Sequence, residues 1–446
     1  MATSLITIGR TGLAASRAAL ELTAQNIANA SNADYTRRRI DQSELVTTGR
    51  IERLQRSTLN GVTIGNVDRL GNEFTQRQVR ASTSDLARIE AEIAGLRGAE
   101  SALEQSGLYE SLVDFEAALT LLESDPTDSA LRTAAVESAR QMAETFQFAD
   151  FALGNARDLA EAELGAGIDK INGTASALAR INLDLVGARE GTAGRAALLD
   201  ARDAALRDLS QEIGIEVSFD QFGAAEVRLA APGSPVLVSA ASASTMSADI
   251  TPGGPVEIRI DGAAVSPAGG NVAGRVAALA DYTQRQSELD AAAAATIARA
   301  NTAQAAGAAL DGSPGQPLFS GTRASDITMV LSGGAGLAVA PAGSPAGSRD
   351  TGNLANLIAA FGADDGPIAG IDRTLLSLSS RIAGLDTTRE GLAMIRDSAV
   401  ATMLAESGVD LDTEAANLVR LQQAFDANSR VIQVATELFD TILGLG

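Results

Sequence analysis

From Leu5 onward, apolar and small residues return every three or four positions, through Ile8, Gly12, Ala15, Ala19, Leu22, Asn26 and Asn29. This spacing predicts a helix with a narrow, small-sided coiled-coil seam. A second line, Ile6, Leu13, Leu20 and Ile27, lies on a neighbouring face, so the segment offers more apolar surface than one partner helix covers. The other end of the chain repeats the pattern with Leu418, Leu421, Phe425, Asn428, Ile432, Ala435, Phe439 and Ile442. Both ends are expected to seek helical partners. Asp410 and Asp412 read as N-caps of the last helix, and Glu414 in its first turn suits the helix dipole. A metal site at Asp410, Asp412 and Glu414 is a much weaker reading than capping, because the interior glycine and the full ligand spacing of a calcium loop are missing.

Between residues 81 and 214 the pattern is almost wholly helical. Leu86, Ile89, Ile93 and Leu96 share one face, Ser124-Asp125-Pro126 makes a break, and an amphipathic run extends from 129 to 187. If unbroken, that run is about 90 Å long at 1.5 Å per residue, although Gly154, Gly165, Gly167 and Gly173 could divide it. At Gly214 the period changes. Residues 215–219, 227–229, 236–238 and 256–260 read as short strands, helix returns over 272–309, and a Gly/Pro/Ser-rich stretch at 311–350 reads as loops with two strand candidates at 327–331 and 337–340. A last helical stripe runs through Leu375, Leu378, Ile382, Leu385 and Leu392. The expected fold is mainly α, elongated and multi-domain, with a small β insert.

Composition narrows the chemistry. The 446 residues include no Cys and no His, which excludes thiolate and imidazole metal sites, disulfides and a Ser-His-Asp relay. No cofactor or metal is expected. A formal net charge of -21 disfavours nucleic acid and anionic membranes. The strongest basic cluster, Arg37-Arg38-Arg39, reads as a belt meeting an acidic neighbouring subunit. Asp364-Asp365 reads as a turn or helix start, and the Gly333-Gly334-Ala335-Gly336 run lacks the Lys-Ser/Thr pair of a phosphate cradle. Nothing near Met1 has the form of a secretory leader and no apolar run is long enough to span a bilayer, so membrane insertion is not expected. The usual routes then imply a cytoplasmic protein, yet a cysteine-free chain also suits export in an unfolded state.

Asn26 to Arg39, NIANASNADYTRRR, closely resembles the N-terminal signature of the bacterial flagellar axial proteins, the family that builds rod, hook and junction. Asn26, Ile27, Ala28, Asn29 and Tyr35 match it, while Asn32-Ala33-Asp34 stands where the family has Thr-Pro-Gly. Asn and Asp tolerate turn geometry, so the turn is expected to survive. Three further blocks, residues 60–80, 198–217 and 407–444, resemble the hook-filament junction branch of that family.

The resemblance implies a non-enzymatic structural subunit at the distal end of the hook, exported unfolded after escort by a cytoplasmic chaperone that binds the C-terminal helix. Its implied partners are further copies of itself in a helical tube, the hook protein and a second junction protein. The implied domains are a terminal-helix coiled coil (1–35 with 405–446), a discontinuous helical body (36–214 with 266–404) and an inserted β domain (215–265). The tube-forming helices are expected to stay disordered in a lone chain until neighbours cover them. Asn428 then either fixes the register of the seam or faces the solvated channel. Alternatives are another flagellar axial subunit and, more distantly, a carboxylate-dependent hydrolase of cell-wall glycan.

Overall fold

The computed structural model describes residues 2–48, 57–231 and 233–444. In chain order its elements are α1 (Ala2–Ala28), β1 (Arg38–Thr48), β2 (Ser57–Arg69), α2 (Glu73–Gln105), α3 (Leu108–Ser124), α4 (Ser129–Gly187) and α5 (Ala193–Glu212). Short strands follow: β3 (Ile215–Phe219), β4 (Ala225–Leu229), β5 (Val236–Ser239), β6 (Ser242–Ala243), β7 (Met246–Ile250), β8 (Val256–Ile260) and β9 (Ala263–Val265). The chain ends with α6 (Gly270–Ala305), α7 (Gly352–Phe361), α8 (Pro367–Ser407) and α9 (Leu411–Gly444). The fold is mainly α with small antiparallel sheets set among the helices.

The chain gathers into two compact units. One comprises Met1–Asp85, Ile171–Thr245 and Leu392–Gly446, the other Leu86–Lys170 and Met246–Gly391. These divisions fall at other positions than those drawn from the sequence. The stretch expected to form one β insert holds two separate sheets, β3-β4-β5-β6 in the first unit and β7-β8-β9 in the second.

In the first unit the four-stranded sheet is fastened by the buried amide of Asn182. Its Nδ2 donates to the carbonyls of Ala225 and Ala240, both at 2.9 Å, and its Oδ1 accepts from the Ala225 amide at 2.8 Å. The same unit contains the β1-β2 hairpin, which the periodicity did not predict. Its pairing shifts register between Ile40 and Gln42 and again between Glu44 and Val46. Each bulge resets the two-residue alternation by which a strand is recognised.

In the second unit, α3, α4, α6 and α7 enclose a core that includes Leu112, Leu119, Met142, Phe146, Leu289 and Leu357. Phe115 and Phe361 meet edge to face there with centroids 5.2 Å apart. Asp128 caps α4 by accepting from the amides of Ala130 (2.7 Å) and Leu131 (2.9 Å). The helix runs unbroken, because Gly154, Gly165 and Gly173 sit where nothing packs against them, and Leu164, Ile171, Leu178 and Leu185 bury its stripe. A break at Ser106-Gly107 went unread; Gly107 takes φ 71°, open to glycine without strain.

The Gly-rich stretch is pinned by side chains. Arg132, 2% exposed, donates to the carbonyls of Pro126 (2.6 Å), Leu337 (2.8 Å) and Gly334 (3.2 Å). The carbonyls of the glycine turn thus point at an internal guanidinium, which has no use for a phosphate. Asn353 adds bonds from Nδ2 to Ala303 O (2.9 Å) and Ala338 O (2.6 Å).

Candidate functional site

The two ends of the chain form one structure. α1 and α9 lie side by side and antiparallel: a Cβ on Gly9 would stand 2.7 Å from Ile432 Cγ1, and one on Gly12 would stand 2.6 Å from Asn428 Oδ1. The glycines therefore allow an approach that any larger residue would widen. Asn428 lies over Gly12 and donates from Nδ2 to Ser16 Oγ at 3.3 Å. Around it Leu418, Leu421, Phe425 and Ile432 are half-buried and Ala435 is buried. On α1, Leu22 is buried, Ile8, Leu13, Leu20 and Ile27 are half-buried, and Leu5 is exposed. Phe439 is exposed; Ile442 lies on α9, with its side chain outside the described residues.

Each terminal helix thus finds one partner within its own chain, the paired arrangement that the family resemblance implies. The pair does not use all of its apolar surface. Val431, Val434 and Leu438 step three and four apart along the outer side of α9, the last two 54% and 47% exposed. Val419, nearer the start of the helix, is exposed as well.

The signature residues sit where α1 hands over to the hairpin. Asn26, 2% exposed, donates from Nδ2 to Arg38 O (3.0 Å), while its Oδ1 accepts from the Tyr35 hydroxyl (2.8 Å) and the Arg38 amide (3.2 Å). Asn32 supplies the turn in place of Thr-Pro-Gly: its Oδ1 accepts from the Asp34 amide at 3.0 Å, and its carbonyl from the Tyr35 amide at 3.1 Å. Asn29 caps locally, from Nδ2 to Gln25 O at 2.8 Å. Ile27 is half-buried and Ala28 exposed; neither joins the polar network.

Behind Tyr35 lies a buried ionic collar. Asp200 of α5 accepts from Arg38 Nη2 (2.6 Å) and Arg69 Nε (2.8 Å), and Asp203 from Arg69 Nη2 (2.7 Å) and Arg202 Nη2 (2.6 Å). Arg37 Nε donates to Glu414 Oε1 at 2.7 Å, and the Arg37 amide to Ser407 O at 3.0 Å, tying the hairpin to the start of α9. Asp410 caps that helix through the amides of Asp412 (2.9 Å) and Thr413 (3.0 Å). The four sequence blocks that carry the family resemblance therefore converge on one collar.

The electrostatics follow from burial and pairing. Burial raises the Tyr35 hydroxyl above its ordinary value, and Arg38, 4.7 Å from the ring centroid, opposes this. For Asp203, burial alone pushes the carboxyl upward, but Arg202 and Arg69 outweigh it and hold the group below the usual range. The expected basic belt is corrected here. Arg37 and Arg38 turn inward to Glu414 and Asp200, and only Arg39 of the three is exposed. Sequence reasoning missed Arg69, Asp200, Arg202 and Asp203; the available signal was three charges within four residues directly after a Leu-Leu pair, Leu198-Leu199-Asp200-Ala201-Arg202-Asp203.

Among the described residues, no group of three or more His, Cys, Asp or Glu is placed to hold a metal ion, and no helix is long and apolar enough to cross a membrane. What the arrangement supplies is a fastened helix pair with an open apolar stripe.

Comparison with known proteins gives three findings. Residues 96–319 match a family model described as the helical domain of flagellar hook-associated protein FlgK, and residues 400–445 match the C-terminal model of flagellar basal body rod proteins FlgEFG. Flagellar hook-associated protein 1 of Escherichia coli is 28% identical over 236 residues, covering 51% of this chain and 42% of the relative. Its counterpart in Bacillus subtilis is 26% identical over 221 residues, covering 48% and 44%. The matched stretch thus spans less than half the length of these relatives. The solved flagellar hook junction protein FlgK of Burkholderia pseudomallei aligns with a TM-score of 0.49 at 21% identity, over 55% of this chain and 46% of that one.

Proposed function

Because this chain belongs to the flagellar hook-associated protein FlgK family, we propose that it is a structural subunit of the bacterial flagellum, placed where hook meets filament. The carrying observation is the α1-α9 pair, which is fastened by the collar yet leaves Val431, Val434 and Leu438 open for other subunits. A tube can be lined by such pairs only if each donates an apolar stripe to its neighbours, and burial of that stripe drives assembly. Its role is mechanical, without catalysis.

On this reading the chain is exported unfolded, escorted by a chaperone on its C-terminal helix, and then contacts copies of itself, the hook protein and a second junction protein. Asn428 sets the register of the pair through Ser16. Immunogold labelling tests the placement: label confined to hook tips agrees with it, and label along hooks or filaments refutes it. The match of residues 400–445 to rod proteins favours, as second reading, another position along the same axial structure.

A further inference from the structure

The helix pair is electrically lopsided. At one end a groove of about 450 Å³ opens between α1, β1 and α9, with Leu22 and Leu421 in its lining and Arg37, Arg39 and Arg420 around it. Glu414 is its sole carboxylate and already holds Arg37. Arg39 and Arg420 are exposed and have no carboxylate partner among the described residues, and the buried Nε of Arg38 behind them finds no acceptor. At the other end of α9, Glu437 and Asp440 are exposed beside Leu438 and Phe439. The last turn carries no basic residue, so these carboxylates meet the negative end of the helix dipole uncompensated.

We infer that the groove receives the C-terminal end of α9 from a second copy of this chain, with Arg39 and Arg420 pairing Glu437 and Asp440 and the apolar linings meeting. The occupant is argued from complementarity: a groove with surplus positive charge that sets Leu22 and Leu421 among polar side chains, and a helix end with surplus negative charge that carries the exposed Leu438 and Phe439. Leu421 and Asp440 are about 28 Å apart along one straight helix at 1.5 Å per residue, so the two surfaces of one molecule cannot meet. In a tube each copy gives its helix end to one neighbour and receives that of another, a heterologous contact of the kind that propagates into rings or open helical assemblies. This inference rests on the proposed tube-forming role and adds the surfaces by which copies stack.

The test is a charge swap in the full chain, expressed in its own bacterium. Arg39→Glu with Arg420→Glu makes the groove variant, and Glu437→Arg with Asp440→Arg makes the end variant. The end variant places cations at a helix C-terminus, where the dipole favours them, so misfolding does not account for its loss. Each variant alone should label hook tips at least about tenfold less than the unaltered chain, since like charges then face each other, with the protein accumulating in the medium. The chain carrying all four substitutions should regain its place. Unimpaired incorporation of either variant, or failure of the fourfold variant to recover, overturns the inference and points to a different occupant. Failure of the proposed function is seen separately, as an unaltered chain located away from hook tips.

Discussion

Asn26 grips the backbone of Arg38 from both sides, giving a hydrogen bond to its carbonyl at 3.0 Å and receiving one from its amide at 3.2 Å. This double contact fixes where the chain leaves α1 and enters β1, and it aims the Arg38 guanidinium at Asp200. Asn26→Ala would leave the Tyr35 hydroxyl and two Arg38 backbone groups without these partners. At about 1 kcal/mol or more per buried group, the expected loss is about 3 kcal/mol. Urea unfolding followed by a probe in the first unit should show it, and Asn26→Asp, which retains the acceptor, should lose less.

The collar predicts an acid limit to stability. Asp203 is held below the ordinary carboxylate value of about 3.9, so the unfolded chain binds its proton more readily than the folded one. Its contribution is complete above about pH 4 and declines as the pH falls through the lower folded value. Asp203→Asn should be less stable by about 3 to 5 kcal/mol at neutral pH, because Arg69 and Arg202 lose a buried partner. Its stability should also fall less steeply below pH 4. Urea midpoints between pH 7 and 3 for both proteins measure the two effects.

The seam predicts a coupling between Gly12 and Asn428. Gly12→Ala places a methyl 2.6 Å from Asn428 Oδ1 and should loosen the pair by about 1 to 2 kcal/mol. With Asn428→Ala the obstruction is gone, and the same Gly12→Ala change should then stabilise α1 by up to about 1 kcal/mol through helix propensity. Hydrogen exchange of α1 amides across the double-mutant cycle reads the change of sign.

Arg132 predicts the behaviour of the Gly-rich stretch. Its guanidinium reaches three carbonyls from fixed directions, a geometry that an ammonium cannot reproduce. Arg132→Lys should destabilise the second unit by about 2 kcal/mol. Exchange at residues 333–340 should accelerate while that of the α1-α9 pair stays unchanged.

The long helices were legible because buried stripes such as Leu164, Ile171, Leu178 and Leu185 keep one period over many turns. Along the terminal helices the same period places Gly12 opposite Asn428 and buries Ala15, Leu22 and Ala435, while Leu5 and Phe439 stay exposed. The hairpin was not legible, since two register shifts erase its alternation. The collar was also hidden: Arg38, Arg69, Asp200 and Glu414 lie on four separate segments, and only folding shows that the first guanidinium faces the third residue's carboxylate. The Arg37-Arg38-Arg39 cluster looked like a surface belt because sequence shows charge without direction. Asp410 was recognisable as a cap because capping is a local property of spacing.

The central claim is that the outer stripe of α9 is an assembly surface, separate from the seam that holds the pair together. Phe425 is half-buried in that seam, so altering it would disturb both. Val434→Asp with Leu438→Asp disturbs only the stripe, since both residues are about half exposed. Quantitative immunogold labelling of hook tips, with the protein released into the medium measured in the same cultures, is the decisive measurement. The account predicts a folded, exported variant that is found in the medium and missing from hook tips. Incorporation equal to that of the unaltered chain would contradict it.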